Sequence, residues 1–450
     1  MIATIVQLSA LIAAGLVLLT LAWYRAGWVI FIMISAAAVL DLFEIKLGSA
    51  GLGVNVYFDD VALVVLLLTC FLAILQYRKN FPRDATPCLM LMVLIVLSFS
   101  RGISTYGLKA AGNSARNLLT FTTPALAIML SRPVFRLDAS RLARWLVWAG
   151  SCLCMVVLLR WAGVLPTPVD LQENARLVNR AIGADHAIII GQAFIAAIYL
   201  PLVKRRSAWW WVGAGVLGGI IFALQHRSVW VASVIGVTWL ILRHSRRSIG
   251  RTLAIGAAAC AVLGVITLAS PWVLQTTGQI ATTNAEEVLS KNSSWAWRVQ
   301  GYEEATGRLF ESDFVDISIG PPAGWAADSN LSFASTHIHS RYVDTLAYYG
   351  VVGFAVLLLW FWVLAKRVGW PARSIRGMAS PNNIGTIFLE ALLLSEVVYL
   401  VPYFGGILEG TVLGLIWVAA KQNWSFSAAR RVALVRYQFD RRNRPATLAS

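Results

Sequence analysis

At 450 residues the chain is long enough for two or three soluble domains, but its composition excludes them: 58% of it is hydrophobic and only 13% charged, with a mean hydropathy of +0.68. Soluble domains carry roughly a quarter charged residues, so the length divides instead into membrane spans of about 20 apolar residues each. The formal charge of +16 would point to nucleic acid in a soluble protein. In a membrane protein it is expected from Lys and Arg held on the cytoplasmic side, with no nucleic-acid partner.

In chain order, apolar runs predict thirteen spans: 3–23, 27–43, 58–77, 87–100, 117–131, 145–165, 186–203, 208–225, 229–243, 252–273, 343–365, 384–402 and 405–420. The runs are continuous rather than alternating, which fits helices and not barrel strands. The expected fold is therefore an all-α polytopic membrane protein of 12–13 transmembrane helices with one large periplasmic loop. The first run lacks a basic leader and a small-residue cleavage site, so it reads as a retained helix. The five cysteines lie within or beside apolar runs without zinc or disulfide spacing and read as small core residues.

Basic clusters fall on alternate connections, including Arg78/Lys79/Arg83, Arg243/Arg246/Arg247/Arg251 and the tail from Lys421 to Arg444. They gather 26 of the 38 basic residues on one side, which should be the cytoplasm; a count of thirteen then puts the N-terminus outside. The chain divides into N-terminal spans 1–273, a loop domain 274–342, C-terminal spans 343–420 and a basic tail 421–450. The loop holds eight acids and four bases, so it is net acidic in a basic protein. Apolar spacing at Trp297, Tyr302, Ala305 and Leu309 predicts a helix there, broken by the Gly320–Gly324 turn. A structured loop of this size is expected to serve the active site.

Two constellations carry chemistry. His337 and His339 alternate, so they cannot share one helix face, and no third ligand stands nearby; a metal site is not expected. They are either interfacial polar residues or include a base poised near neutral pH beside Arg341. Arg116, Arg176, Arg180, Arg227, Arg298 and Arg341 stand at outer span ends. Arg227 lies between two apolar spans with almost no loop to keep it in water, so it either snorkels or faces a polar cavity or an anion. Guanidinium forks suit diphosphate oxygens. Most of the nineteen tryptophans form an aromatic belt; Trp295, Trp297 and Trp325 lie in the loop, where they pack it down or stack on sugar rings. The intramembrane acids Asp41, Glu390, Glu396 and Glu409 are scattered, and no nucleotide-binding or hydrolase motif is present.

His339-Ser340 followed by nine residues and Gly350-Val351-Val352-Gly353 resembles the signature of the O-antigen ligases, shared in looser form by the wider ligase and polymerase superfamily. His226-Arg227-Ser228 is similar to that family's Ser-Arg-Gly-like turn, though His226 and Ser228 depart from it. Arg298, opening Trp297-Arg298-Val299-Gln300-Gly301-Tyr302, resembles the arginine before the family's Pro/Gly turn. Arg180-Ala181-Ile182-Gly183 resembles its Arg-x-x-Gly entry to a span.

The resemblance implies a GT-C-like glycosyltransferase of the bacterial inner membrane, working on the periplasmic face without metal or other cofactor. Its donor would be a glycan on undecaprenyl diphosphate. Its acceptor would be lipid A–core in a ligase, the favoured reading, or a second lipid-linked glycan in a polymerase. His339 would be the catalytic base, with Arg227 and Arg298 on the diphosphate leaving group. Arg180, Arg341, His337, Arg176 and Tyr342 would bind substrate. Two other classes remain: a transporter of lipid-linked glycan or anions, which calls for broken helices at mid-membrane in both halves, and a scaffold whose arginines only anchor membrane lipids.

Overall fold

The computed structural model describes residues 25, 27–43, 46–50, 54–77, 81–131, 137–167, 180–203, 209–244, 294–328, 339–370 and 384–422. These residues are helical apart from the turns and one antiparallel hairpin, β1 Lys46–Ala50 with β2 Val54–Tyr57. The helices before the large loop are α1 Gly27–Leu42, α2 Phe58–Tyr77, α3 Thr86–Leu130, α4 Ala139–Trp161, α5 Ala184–Val203, α6 Trp209–Ala223 and α7 Arg227–His244. The loop contributes α8 Ser294–Glu311, α9 Phe314–Ile319 and α10 Trp325–Asp328. Then follow α11 Arg341–Val368, α12 Ile384–Tyr399 and α13 over 407–422. The expected spans 3–23 and 252–273 lie outside the described residues.

Among the described residues, five helical runs are long and apolar enough to cross a membrane: Phe58–Gln76, Arg83–Leu130, Ala139–Trp161, Ala184–Val203 and Arg341–Val368. Two of these fold back on themselves. In α3 the backbone reverses at Gly107, with φ 79° and ψ 167°. Thr122 Oγ1 then donates to Met92 Sδ at 3.2 Å, and Cys88 Sγ lies 3.5 Å from the Thr122 carbonyl. A straight helix would hold residues 92 and 122 about 45 Å apart. The runs 87–100 and 117–131 are thus two legs of one helical hairpin, joined by helix where sequence alone gives a loop.

The second reversal corrects a span. The apolar run 343–365 reads as one crossing, yet α11 turns back at Gly350, φ 64° and ψ −170°. The rings of Tyr342 and Phe361 meet at 6.0 Å, against about 28 Å along a straight helix. A short leg, 341–349, therefore dips beside the long leg, 351–368, and carries its N-terminus roughly 13 Å below Gly350. Only glycine suits this corner: φ is positive, and a Cβ would stand 2.5 Å from the Ser318 carbonyl oxygen. Both reversals sit at the end of the bundle that carries α8–α10, here the loop end.

Packing between helices is close and largely apolar. Tyr199 of α5 stacks on Phe388 of α12 at 4.2 Å, and Phe121 of α3 meets Trp360 of the long leg edge-on at 5.5 Å. Where lipid replaces water outside the bundle, such contacts hold helices together by shape and dispersion rather than by water exclusion. The scattered acids find local partners. Glu390 takes the Trp239 indole at 3.0 Å and Arg243 at 3.4 Å, Glu396 accepts from Gln192, and Glu409 accepts the Gly406 amide at 2.6 Å. Asp41 lies 3.9 Å from the His186 ring.

Candidate functional site

The dipping leg of α11 is fixed at its deep end by residues that flank His339. Ser340 caps it, its hydroxyl accepting from the Val343 amide at 3.4 Å. The Arg341 amide donates to the carbonyls of Leu400 and Tyr403 at 3.1 and 2.9 Å, locking the leg to the turn between α12 and α13. The Arg341 guanidinium is wholly buried. It donates to Asp344 and the Asn117 carbonyl, both at 3.0 Å, and to the Gly405 carbonyl at 2.8 Å, and it lies 4.7 Å over the Phe121 ring. Its charge is answered inside the protein, so Arg341 pins the leg. Tyr342 does related work: its hydroxyl donates to the Val397 carbonyl at 2.9 Å, and its ring packs on Phe361.

His339, just before that cap, meets the loop helix. Tyr302 of α8 donates its hydroxyl to the His339 carbonyl at 2.9 Å, and the His339 ring lies 6.2 Å from that of Phe404. One helical turn before Tyr302, on the same face, Arg298 sets its guanidinium 5.1 Å over the ring of Tyr403. Tyr403 in turn stacks on Tyr399 at 4.9 Å. Arg298 and His339 therefore converge on the Tyr403–Phe404 turn. Burial pushes the Tyr302 phenol up from its usual range, and the Arg298 charge opposes that rise, so it remains a protonated donor. The loop helix is held in register by Ala305, packed with Ala347 and Trp325. Trp325, ringed by Tyr348 at 5.8 Å, packs the loop down rather than offering a face to sugar. The side chains of Trp295 and Trp297 lie outside the described residues.

The second basic group forms where the segment before α5 meets the turn before α7. His226 is buried, and its Nε2 lies 2.9 Å from the Ile182 carbonyl. Burial first, and the nearby Arg180 charge second, lower its imidazole to about 4. Gln225 takes a left-handed φ of 59° to make this corner, and Arg227 opens α7. A cation at a helix N-terminus opposes the helix dipole, so helix stability does not account for it. α7 runs antiparallel to α12, where a Cβ at Gly236 would stand 3.1 Å from the Ala391 carbonyl. Nine residues back along α7 is Arg227 and nine forward from Ala391 is Leu400, which puts Arg227 level with the turn that receives Arg298 and His339.

Arg176 and His337 lie outside the described residues. Arg116 pairs with Asp60 at 3.0 Å. Sequence reasoning passed over Tyr302, Tyr403 and Phe404 as site residues; the spacing of Tyr302 four residues after Arg298 was the available signal. It also passed over Arg160, buried and donating to the carbonyls of Ala181 at 2.6 Å and Leu42 at 2.5 Å, which ties α4 to two loop-end segments. Among the described residues one group has metal-ligand chemistry, Asp41, Asp185 and His186. There His186 Nδ1 faces Asp185 at 3.2 Å and Asp41 at 3.9 Å while Nε2 faces the Ala38 carbonyl at 3.1 Å. Asp41 stands beyond hydrogen-bond reach of the ring, so the geometry pairs His186 with Asp185 and the Ala38 carbonyl. No protein-family model matches the chain, and no curated protein matches it.

Proposed function

We propose that this protein is a metal-independent glycosyltransferase of the bacterial inner membrane that moves a glycan from undecaprenyl diphosphate to an acceptor hydroxyl on the periplasmic face. The observation that carries the reading is the convergence of Arg298 and His339 on the Tyr403–Phe404 turn, with Arg227 at the same level. Diphosphate as leaving group needs fixed positive charge, and an acceptor hydroxyl needs a base close by.

In this reaction the His339 imidazole takes the proton of the acceptor hydroxyl. The acceptor oxygen bonds to the anomeric carbon as that carbon's bond to the diphosphate oxygen breaks, and undecaprenyl diphosphate departs. Arg298 and Arg227 stabilise the charge that grows on the leaving oxygens, while Arg180 extends the basic surface. Low pocket polarity would strengthen each of these contacts.

The favoured acceptor is lipid A–core, as in an O-antigen ligase, on the strength of the His339-Ser340 spacing to Gly350-Val351-Val352-Gly353. Purified protein mixed with undecaprenyl-diphosphate-linked glycan and lipid A–core should yield ligated product in the presence of EDTA. Absence of product under all acceptor conditions overturns the reading. A null strain separates the two acceptors on a gel: long polymer that never reaches the core marks a ligase, and core bearing a single repeat marks a polymerase.

A further inference from the structure

We infer that α5, α7 and α12 bind a monovalent cation such as sodium between Gln192, Ser233, Ser395 and Glu396, as a structural ion apart from the transfer chemistry.

Three contacts set these residues in one layer. Gln192 of α5 donates its side-chain amide to Glu396 Oε1 of α12. A Cβ on Gly191, next to Gln192, would collide with the Ser233 hydroxyl of α7. α7 and α12 run antiparallel with Gly236 against Ala391, so Ser233, one turn back, is level with Ser395, one turn forward. The three helices thus bring four polar side chains to the same height. None of the four is more than 2% exposed.

Each keeps one oxygen without a hydrogen-bond partner among the described residues: Gln192 Oε1, Ser233 Oγ, Ser395 Oγ and Glu396 Oε2. Polar atoms left unanswered inside a membrane protein are costly. Oxygens with one carboxylate among them are the ligand set of a hard cation, and one carboxylate balances one positive charge.

Charge separates the cation from its rivals. Glu396 has no Lys or Arg partner among the described residues, and the buried Glu409 carboxylate repels it rather than relieving it. Water would bond the oxygens but leave the carboxylate uncompensated in the membrane interior. A proton on Oε2 would remove the charge, yet its O–H would have no acceptor and the other three oxygens would stay unanswered. A cation against Oε2 answers charge and oxygens together. Bound there, it ties together helices whose loop ends carry Arg227 and the Tyr403–Phe404 turn.

The test is thermal unfolding of the full-length protein in detergent, at fixed pH and ionic strength, as sodium chloride replaces N-methyl-D-glucamine chloride. The expected result is a melting temperature that climbs by several degrees and saturates with sodium. Glu396→Gln, which keeps the shape and removes the charge, should abolish the climb. Ser233→Ala with Ser395→Ala keeps the charge and gives up two ligands, so its midpoint should move to about tenfold more sodium; this variant carries the test if Glu396→Gln does not fold. A wild-type melting temperature indifferent to sodium overturns the inference and leaves the layer to water or a proton. So does an equal climb in Glu396→Gln, which marks a general salt effect, or an unmoved midpoint in the serine variant.

Discussion

The Tyr302 hydroxyl donates to the His339 backbone carbonyl at 2.9 Å, so the loop helix sets the height of the residue that opens the dipping leg. Tyr302→Phe keeps the ring and removes one hydrogen bond, worth about 1 kcal/mol. Its melting temperature in detergent should fall only slightly, while turnover in the transfer assay falls several-fold with the pH profile unchanged. A turnover equal to wild type would show that the contact does not position His339.

His339 and Arg341 are near neighbours with opposite expected behaviour. His339→Ala should lose transfer by a factor on the order of a hundred or more while the protein still folds, since the ring is only partly buried. Arg341→Ala should instead destabilise by about 3 kcal/mol or more, because it strands the buried Asp344 carboxylate and frees the turn at Gly405. Thermal unfolding separates the two; an Arg341→Ala protein of normal stability but dead activity would move Arg341 into the substrate site.

Arg298→Lys keeps the charge and gives up the planar fork and its stacking on Tyr403. Transfer should drop by one to two orders of magnitude, roughly the loss of an oriented donor to a leaving oxygen. Arg227→Lys should follow the same course. A mild effect at Arg227 with a severe one at Arg298 would mean that Arg227 merely reaches the membrane interface.

Much of this site is legible in the sequence because it is local. Arg298 and Tyr302 share a helix face at a spacing of four, and His339-Ser340 stands just ahead of an apolar run with a capping serine. The folding-back of α11 is not legible: residues 343–365 form an unbroken apolar stretch, and a glycine within such a run is ordinary in membrane helices. What marks Gly350 as a corner is the close approach of Ile317–Gly320, a contact distant in sequence. The same limit explains Arg341 and Tyr342. Adjacent to His339, they share its candidacy as site residues, yet the short leg turns them toward Phe121, Val397 and Phe361. Gly350→Ala tests the corner directly: strain at positive φ with a clash against Ser318 should cost about 2 kcal/mol or more, read as a lowered melting temperature.

The buried His226 gives the protein an acid sensitivity of its own. An unfolded histidine titrates near 6.5, and in the folded protein burial and Arg180 lower the ring to about 4. Above pH 6.5 both states hold it neutral, and its contribution to stability is intact. As pH falls from 6.5 toward 4 the unfolded chain takes up a proton that the folded one refuses, so stability declines, by at most about 3 kcal/mol over that window. Below 4 both states are protonated and the decline from this group ends. Melting temperatures of wild type and His226→Gln, measured in detergent from pH 7.5 to 4, should show a steeper fall for wild type between 6.5 and 4. Parallel curves would mean that the ring is charged, or reached by water, in the folded protein.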